Sequence, residues 1–345
     1  MYLLAQVLHK YDLSLDDERV TPENLDTLLD ALQDHPLSIE LVGPHLKAQR
    51  PEQIVADFHM LLEQFRGDAE VERNRSLLAS LRFSTSRLSE QAQAALPWLG
   101  MFRGGVFEQV LLSVSEMEPG EWDGVRAELQ ATALVRVEPD IQIGDRPYLR
   151  FHPTLPNGIV ASSMLSPSGA EGVEDRHCRP DSEEARQRFI EVYGALSRAI
   201  GHALRGSNAR GGMEVLRREE ANVRRAMRWA VQADQFDVTA AMGGTFGDYL
   251  ERSARLRERD QWSAWLAEAA TQVSFSSAAA MAETERAWSL FTQGHAAEAV
   301  ERLEALIDRL RHTDTFDPAF QLARSRGYLG RVYYHTGVQR RQLQS

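Results

Sequence analysis

The chain has 345 residues, 43% apolar and 26% charged, a composition that excludes general disorder and allows two or three compact units. No stretch reaches the roughly 18 apolar residues of a spanning helix. The opening MYLLAQVLHKYDLSLDD has no basic n-region and no small-residue cleavage site, so neither a membrane span nor a secretory leader is expected. The single cysteine, Cys178, excludes an internal disulfide and a Cys-rich zinc module, and it fits a cytoplasmic setting.

Charge is unusual in kind and in placement. Of 39 basic residues only Lys10 and Lys47 are lysine; the rest are arginine. The net charge is −11, and residues 1–72 carry most of it, with 15 acidic against 5 basic residues. The remainder is almost balanced, at 35 against 34. This leaves no broad footprint for nucleic acid or an anionic membrane.

In chain order, Thr21-Pro22-Glu23 is a helix start, with a capping Thr, Pro at the first helical position and an acid at the positive end. Leu25, Leu28, Leu29 and Leu32 follow at helical spacing, with Asp26 and Asp30 off the stripe. Pro36 breaks that run and opens HPLSIELVGPHL. A third helix starts at Pro51, with Ile54, Val55, Phe58, Leu61, Leu62 and Phe65 on one face.

Ser89 and Glu90 cap a helix carrying Ala92, Ala95, Leu96 and Leu99, which Pro97 should kink. Gly104-Gly105 marks a turn before a short helix from Val106 to Val114, and another helix runs from Pro119 to Ala133. Two β-like runs follow, Ala133–Val137 and Tyr148–His152, joined by a polar loop with Gly144-Asp145. Three short helices and then a hairpin is the order of a winged helix.

Residues 156–185 read as a linker rich in Pro, Ser and Gly. Helix resumes at 186. RAWSLFTQGHAAEAVERLEALI (286–307) and SRGYLGRVYYHTGV (325–338) look like related hairpin starts, with Gly294 and Gly337 at equivalent turns 43 residues apart. The expected organisation is mainly α: a helical subdomain at 1–72, a winged helix with a small β-hairpin at 73–155, the linker at 156–185, a helical linker domain at 186–275, and truncated tetratricopeptide-like repeats at 276–345.

Catalytic signatures are missing. There is no G-x-x-x-x-G-K-[ST], and neither Lys10 nor Lys47 lies in a glycine-rich loop, so autonomous NTP hydrolysis is not expected. G-x-S-x-G, H-E-x-x-H and G-x-G-x-x-G are also missing, and no catalytic residue is assigned. His177-Cys178, with Asp175 and Asp181 nearby, lacks the second cluster a zinc site needs; an exposed polar loop is the reading taken, with no metal.

A winged helix raises DNA binding, but its third helix carries Glu121, Asp123 and Glu128 against Arg126 alone, so DNA is not an expected partner. The arginines between 217 and 228 suit a phosphate or RNA site or, more plainly, the solvated back of an amphipathic helix. Trp262, Trp265, Trp288, Tyr328, Tyr333 and Tyr334 suit a peptide groove or inter-helix packing.

The order of these pieces resembles the STAND class of signalling ATPases, which includes the NB-ARC and AP-ATPase proteins. HPLSIELVG (35–43) is similar to that family's G-L-P-L segment, with Asp34 and His35 in place of Gly-Leu. SLRFSTSRLSEQAQAALPWLGMFRGGVFEQVL is similar to the start of its winged helix. YLRFHP (148–153) sits where the family keeps Met-His-Asp, with Phe151 and Pro153 replacing the flanking residues. EEANVRRAMRWAVQADQFDVTAAM resembles the helical linker of bacterial members that carry tetratricopeptide arrays.

The resemblance implies that residues 1–72 belong to a nucleotide-binding module. Pro36 would pack near the adenine of bound ADP, and His152 would contact the β-phosphate and hold the off state. It begins downstream of the family's Walker strands, so the expectation is a portion of a longer protein, or one working with a separate nucleotide-binding domain. Such a chain binds no nucleotide cofactor alone, and ADP or ATP would belong to the full protein. Protein partners would dock on the C-terminal helical repeats. The alternatives are a bacterial transcriptional regulator on the same scaffold and a stand-alone repeat adaptor.

Overall fold

The computed structural model of the protein describes residues 21–64, 69–153 and 180–336, with Gln6, His9 and Leu155. Among these residues the fold is mainly α, with one three-stranded antiparallel sheet. The chain divides into two units, residues 1–185 and 186–345. Phe65, His177, Cys178, Gly337 and most of the expected linker lie outside the described residues.

The first unit opens with α1 (Pro22–Ala31), started by the expected cap. Thr21 Oγ1 accepts from the Asn24 amide at 3.3 Å, and the Asn24 side chain accepts from the Thr21 amide at 2.8 Å. The stripe Leu25, Leu28, Leu29 and Leu32 is buried, against Ile39 and Val42 of α2 (Pro36–Val42) and Ile54, Phe58 and Leu62 of α3 (Pro51–Gln64). A 3₁₀ turn, Gly43–Lys47, joins α2 to α3.

Helix α4 (Ala69–Thr85) runs across the expected boundary at 72/73. Ala79 and Phe83 sit in the same core, and Ser76 and Ser84 donate to the carbonyls of Leu32 and Leu41 at 3.1 and 3.0 Å. Those bonds tie α4 to the C-terminal ends of α1 and α2, so α4 belongs with the first subdomain.

After it come α5 (Glu90–Leu99), β1 (Gly105–Phe107), α6 (Glu108–Ser115), α7 (Pro119–Ala131), β2 (Val135–Ile143) and β3 (Arg146–Phe151), the order expected of a winged helix. Ser89 caps α5, and its amide and hydroxyl both donate to Glu128 of α7, at 2.6 and 2.7 Å. Helix α5 runs through Pro97 to Leu99.

Three local expectations need correction. Val106 and Phe107 are not helical; they form β1, paired with Leu149 and Tyr148 on the edge of β3, so the sheet order is β1-β3-β2. Strand β2 begins at Val135 because Ala133 is left-handed, at φ 58°. The hairpin is also longer than the apolar pattern suggests: β2 continues past an irregularity between Glu138 and Gln142, where Pro139 can donate no ladder bond, and Gly144-Asp145 is all that separates the strands.

The second unit holds α8 (Glu183–Arg205), α9 (Ala209–Gln232), α10 (Phe236–Arg252), α11 (Leu256–Ala270), α12 (Ser277–Thr292), α13 (Ala296–Arg311) and α14 (Ala319–Thr336). From α9 onward each helix packs on the next, and α10–α12 and α12–α14 also touch. Small residues allow this: Ala240, Ala278, Ala279 and Ala282 interleave with Phe236 and Leu266.

Helices α9, α10 and α12 end alike. Asp234, Ala254 and Gly294 take left-handed φ of 55°, 56° and 92°, and the following amides donate to Ala230, Leu250 and Leu290 at 2.8, 2.8 and 2.9 Å. The expected turn at Gly294 is therefore present, and two further copies of it lack glycine.

Two glycine substitutions should act in opposite directions in urea denaturation. A Cβ at Gly105 would lie 2.4 Å from the Leu149 carbonyl oxygen and 2.5 Å from the Tyr148 hydroxyl, so Gly105→Ala should cost about 1–3 kcal/mol by forcing β1 off β3. Ala254→Gly should gain about 0.5–1 kcal/mol by removing a left-handed alanine, less the added chain entropy of glycine.

Candidate functional site

The site is built where the end of β3 meets α2, both within the first unit. Phe151 donates to the Gly104 carbonyl at 3.1 Å and His152 to the Leu134 carbonyl at 2.9 Å, so the chain leaving β3 is held from both sides of the sheet. The Leu155 amide then donates back to the His152 carbonyl at 3.0 Å. These bonds leave the His152 side chain only 3% exposed, with Nε2 3.7 Å from a carboxylate oxygen of Glu40.

Glu40 is one helical turn beyond Pro36 on α2, and both are exposed on the same edge of that helix. The structure therefore relates Pro36 and His152 through Glu40. The 3.7 Å gap is too long for a hydrogen bond and short enough for an ion pair when the imidazole is protonated. His35 caps no amide of α2, and its Nδ1 is buried without a hydrogen-bond partner. Sequence reading singled out Pro36 and His152 and passed over Glu40, although i, i+4 spacing from Pro36 places it on the same edge.

Chemically, this is an imidazole at the end of a sheet facing an internal anion. A phosphate would compete with the Glu40 carboxylate for the same ring nitrogen, and the exposed Pro36 ring offers an apolar surface one turn away. Nε2 of His152 is closed to solvent, so a phosphate would reach it only after the Glu40 carboxylate turned aside.

The other candidate surfaces are largely neutralised. On α7, Arg126 donates both its bonds to the fully buried carboxylate of Glu108, at 2.8 and 2.9 Å, and Arg146 joins the same carboxylate at 3.0 Å. Asp123 pairs with Arg146 at 2.8 Å, and Glu118 and Glu121 remain exposed at the start of the helix, a surface that repels a phosphate backbone. Along α9, Arg217 and Arg218 both bond Glu214, and their hydrogen bonds hold its pKa down near about 2 against the opposing effect of burial. Arg224 bonds Glu220 and Glu258.

The aromatic residues divide. Trp262 is buried against Phe246 and Trp265, with ring centres 5.3 and 4.5 Å away, and Trp288 packs on Tyr328 at 5.1 Å. Tyr334 is 84% exposed. Among the described residues no group of three or more His, Cys, Asp or Glu side chains could hold a metal ion, and no helix is long and apolar enough to cross a membrane.

Just after α2, His45 packs edge-on against Phe83, with Nε2 3.3 Å from the Ser84 hydroxyl. That hydroxyl already donates to Leu41, so it accepts from a neutral His45 carrying its proton on Nε2. Burial, and then the Arg87 charge, lower the His45 pKa from 6.5 to about 4. Unfolded His45 takes up a proton below 6.5 and the folded residue resists until about 4, so stability is complete above that window and falls with pH through it. The loss should be on the order of 3 kcal/mol, and His45→Gln should flatten the slope in urea melts across the same range.

No protein-family model matches this chain, and no curated protein matches it in sequence.

Proposed function

We propose that the chain is the regulatory and protein-interaction portion of a STAND-type signal-transduction ATPase, acting in the cytoplasm and coupling ADP held by the whole protein to a winged helix. The observation that supports this reading most is the placement of His152, buried at the end of β3 and facing α2 one turn from Pro36. Those are the two positions that the family resemblance assigns to the phosphate and the adenine.

His152 would donate to a phosphate oxygen and Pro36 would support the base. Glu40 takes the anion's place on His152 when the nucleotide is away. The switch is then an exchange of one anion for another on a single imidazole, which biases the position of α2 against the wing. A transcriptional regulator reading the duplex through α7 is disfavoured by the exposed acids of that helix and by the engagement of Arg126 with Glu108. Partner binding falls to the helical second unit, a role this reading shares with the stand-alone adaptor.

The test is calorimetric ADP binding by the chain joined to the P-loop polypeptide encoded at its native locus. His152→Ala should weaken ADP about 10-fold or more, as loss of a charge-assisted hydrogen bond requires. Glu40→Gln should strengthen it, by removing the competing carboxylate. A native locus with no P-loop coding region overturns the reading, as does ATP turnover by this chain alone that disappears in His152→Ala.

A further inference from the structure

Helices α10, α11 and α12 of the second unit line a groove with about 510 Å³ of empty space, open solvent at its mouth included. Its floor is made by backbone: Gly244 and Gly247 have nothing within 4 Å of where a Cβ would stand. Gly243 lets α11 approach closely, with Trp262 Nε1 3.4 Å from its own would-be Cβ. Two polar atoms on the wall have no hydrogen-bond partner. They are Trp262 Nε1 and Ser263 Oγ, on side chains 7% and 8% exposed. A buried indole N–H normally finds an acceptor, and Trp262 Nε1, itself closed to solvent, would meet one from outside after a side-chain shift in this wall.

The rim is acidic. Asp248, Glu251 and Glu285 all line the groove, and burial raises Asp248 and Glu285 above the ordinary carboxylate range. For Glu285 the charges of Asp248 and Glu251 add to burial and together prevail over its pairing with Arg324. Asp248 is reached by Arg205 only at 3.9 Å. The one arginine in the wall, Arg259, is engaged by Asp260 at 2.8 Å and Glu251 at 3.4 Å. An incoming cation would offset the burial of Asp248 and Glu285, and Trp288 also lines the groove.

We propose that this groove docks a partner polypeptide, taking one arginine or lysine side chain among Asp248, Glu251 and Glu285 while the neighbouring peptide carbonyl accepts from Trp262 Nε1. The proposal rests on the protein-interaction half of the reading above and specifies the partner's chemistry. It involves neither His152 nor nucleotide, so ADP binding and groove binding can fail independently.

The test is titration of the full chain with N-acetyl-arginine methylamide and with its neutral citrulline counterpart, followed by calorimetry and tryptophan fluorescence. The arginine probe should saturate, and citrulline should bind about 10-fold more weakly or worse. Gly247→Leu fills open space and replaces a helix-interior glycine, so its melting temperature should match or exceed that of the unaltered chain while binding falls about 10-fold or more. Trp262→Phe should lose roughly 5-fold, the worth of one hydrogen bond. Equal binding of the two probes, unchanged affinity in Gly247→Leu, or no saturation by about 10 mM, weaker than most specific contacts, would overturn the proposal. Binding of free L-arginine without binding of the blocked probe would overturn it too, by making the occupant an amino acid.

Discussion

Two carboxylates each hold three elements together, and the rest of each unit is arranged around them. Glu108, fully buried at the start of α6, receives Arg126 from α7 and Arg146 from β3. Glu220 on α9 receives Arg224 from its own helix, Tyr249 from α10 and Arg255 from the start of α11. A guanidinium presents a rigid fork that one carboxylate can meet at two points, so an arginine-rich chain gains orientation as well as charge from each pair. Removing both arginines from Glu108 would strand a fully buried charge, a far larger loss than breaking an exposed pair. The same pairing bears on which surfaces can recruit polyanions: Arg126 on α7 and Arg217, Arg218 and Arg224 on α9 are turned toward acids of the protein itself.

Much of the helical frame is legible in the sequence because proline marks it. Pro22, Pro36, Pro51 and Pro119 each stand at the first position of a helix, where a missing amide hydrogen costs nothing. The parts that could not be read have equally definite causes. Strand β1 is three residues long and adjoins a helix, so no alternation can develop. The first half of α4, Ala-Glu-Val-Glu-Arg-Asn-Arg, is nearly all polar, which hid the helix that carries the subdomain past residue 72. The turns at Asp234 and Ala254 are glycine turns in geometry without the residue that announces them. Aspartate tolerates that conformation through its own side chain, and alanine is forced into it by the packing of α10 against α11.

The candidate sites show the same division. Pro36 and His152 were found by their resemblance to motifs, and the placement of His152 over α2 depended on a sheet of which only two strands were foreseen. Trp262 and Trp288 were noted as aromatic residues suited either to packing or to a groove. The ring of Trp262 packs on Phe246, while its buried nitrogen lies against Gly243 and has no hydrogen-bond partner. That distinction rests on single atoms, and residue type alone does not carry it.

The irregular wing has a consequence for how this protein can associate. Strand β2 forms one edge of the sheet, and its outer part carries Glu138, Pro139 and Asp140 where pairing with β3 is interrupted. A foreign strand laid along that edge would meet a missing donor, two like charges and a kinked backbone in three successive positions. That stretch of the β2 edge is thereby closed to β-augmentation, and self-association along it is suppressed during folding, when such strands are most exposed.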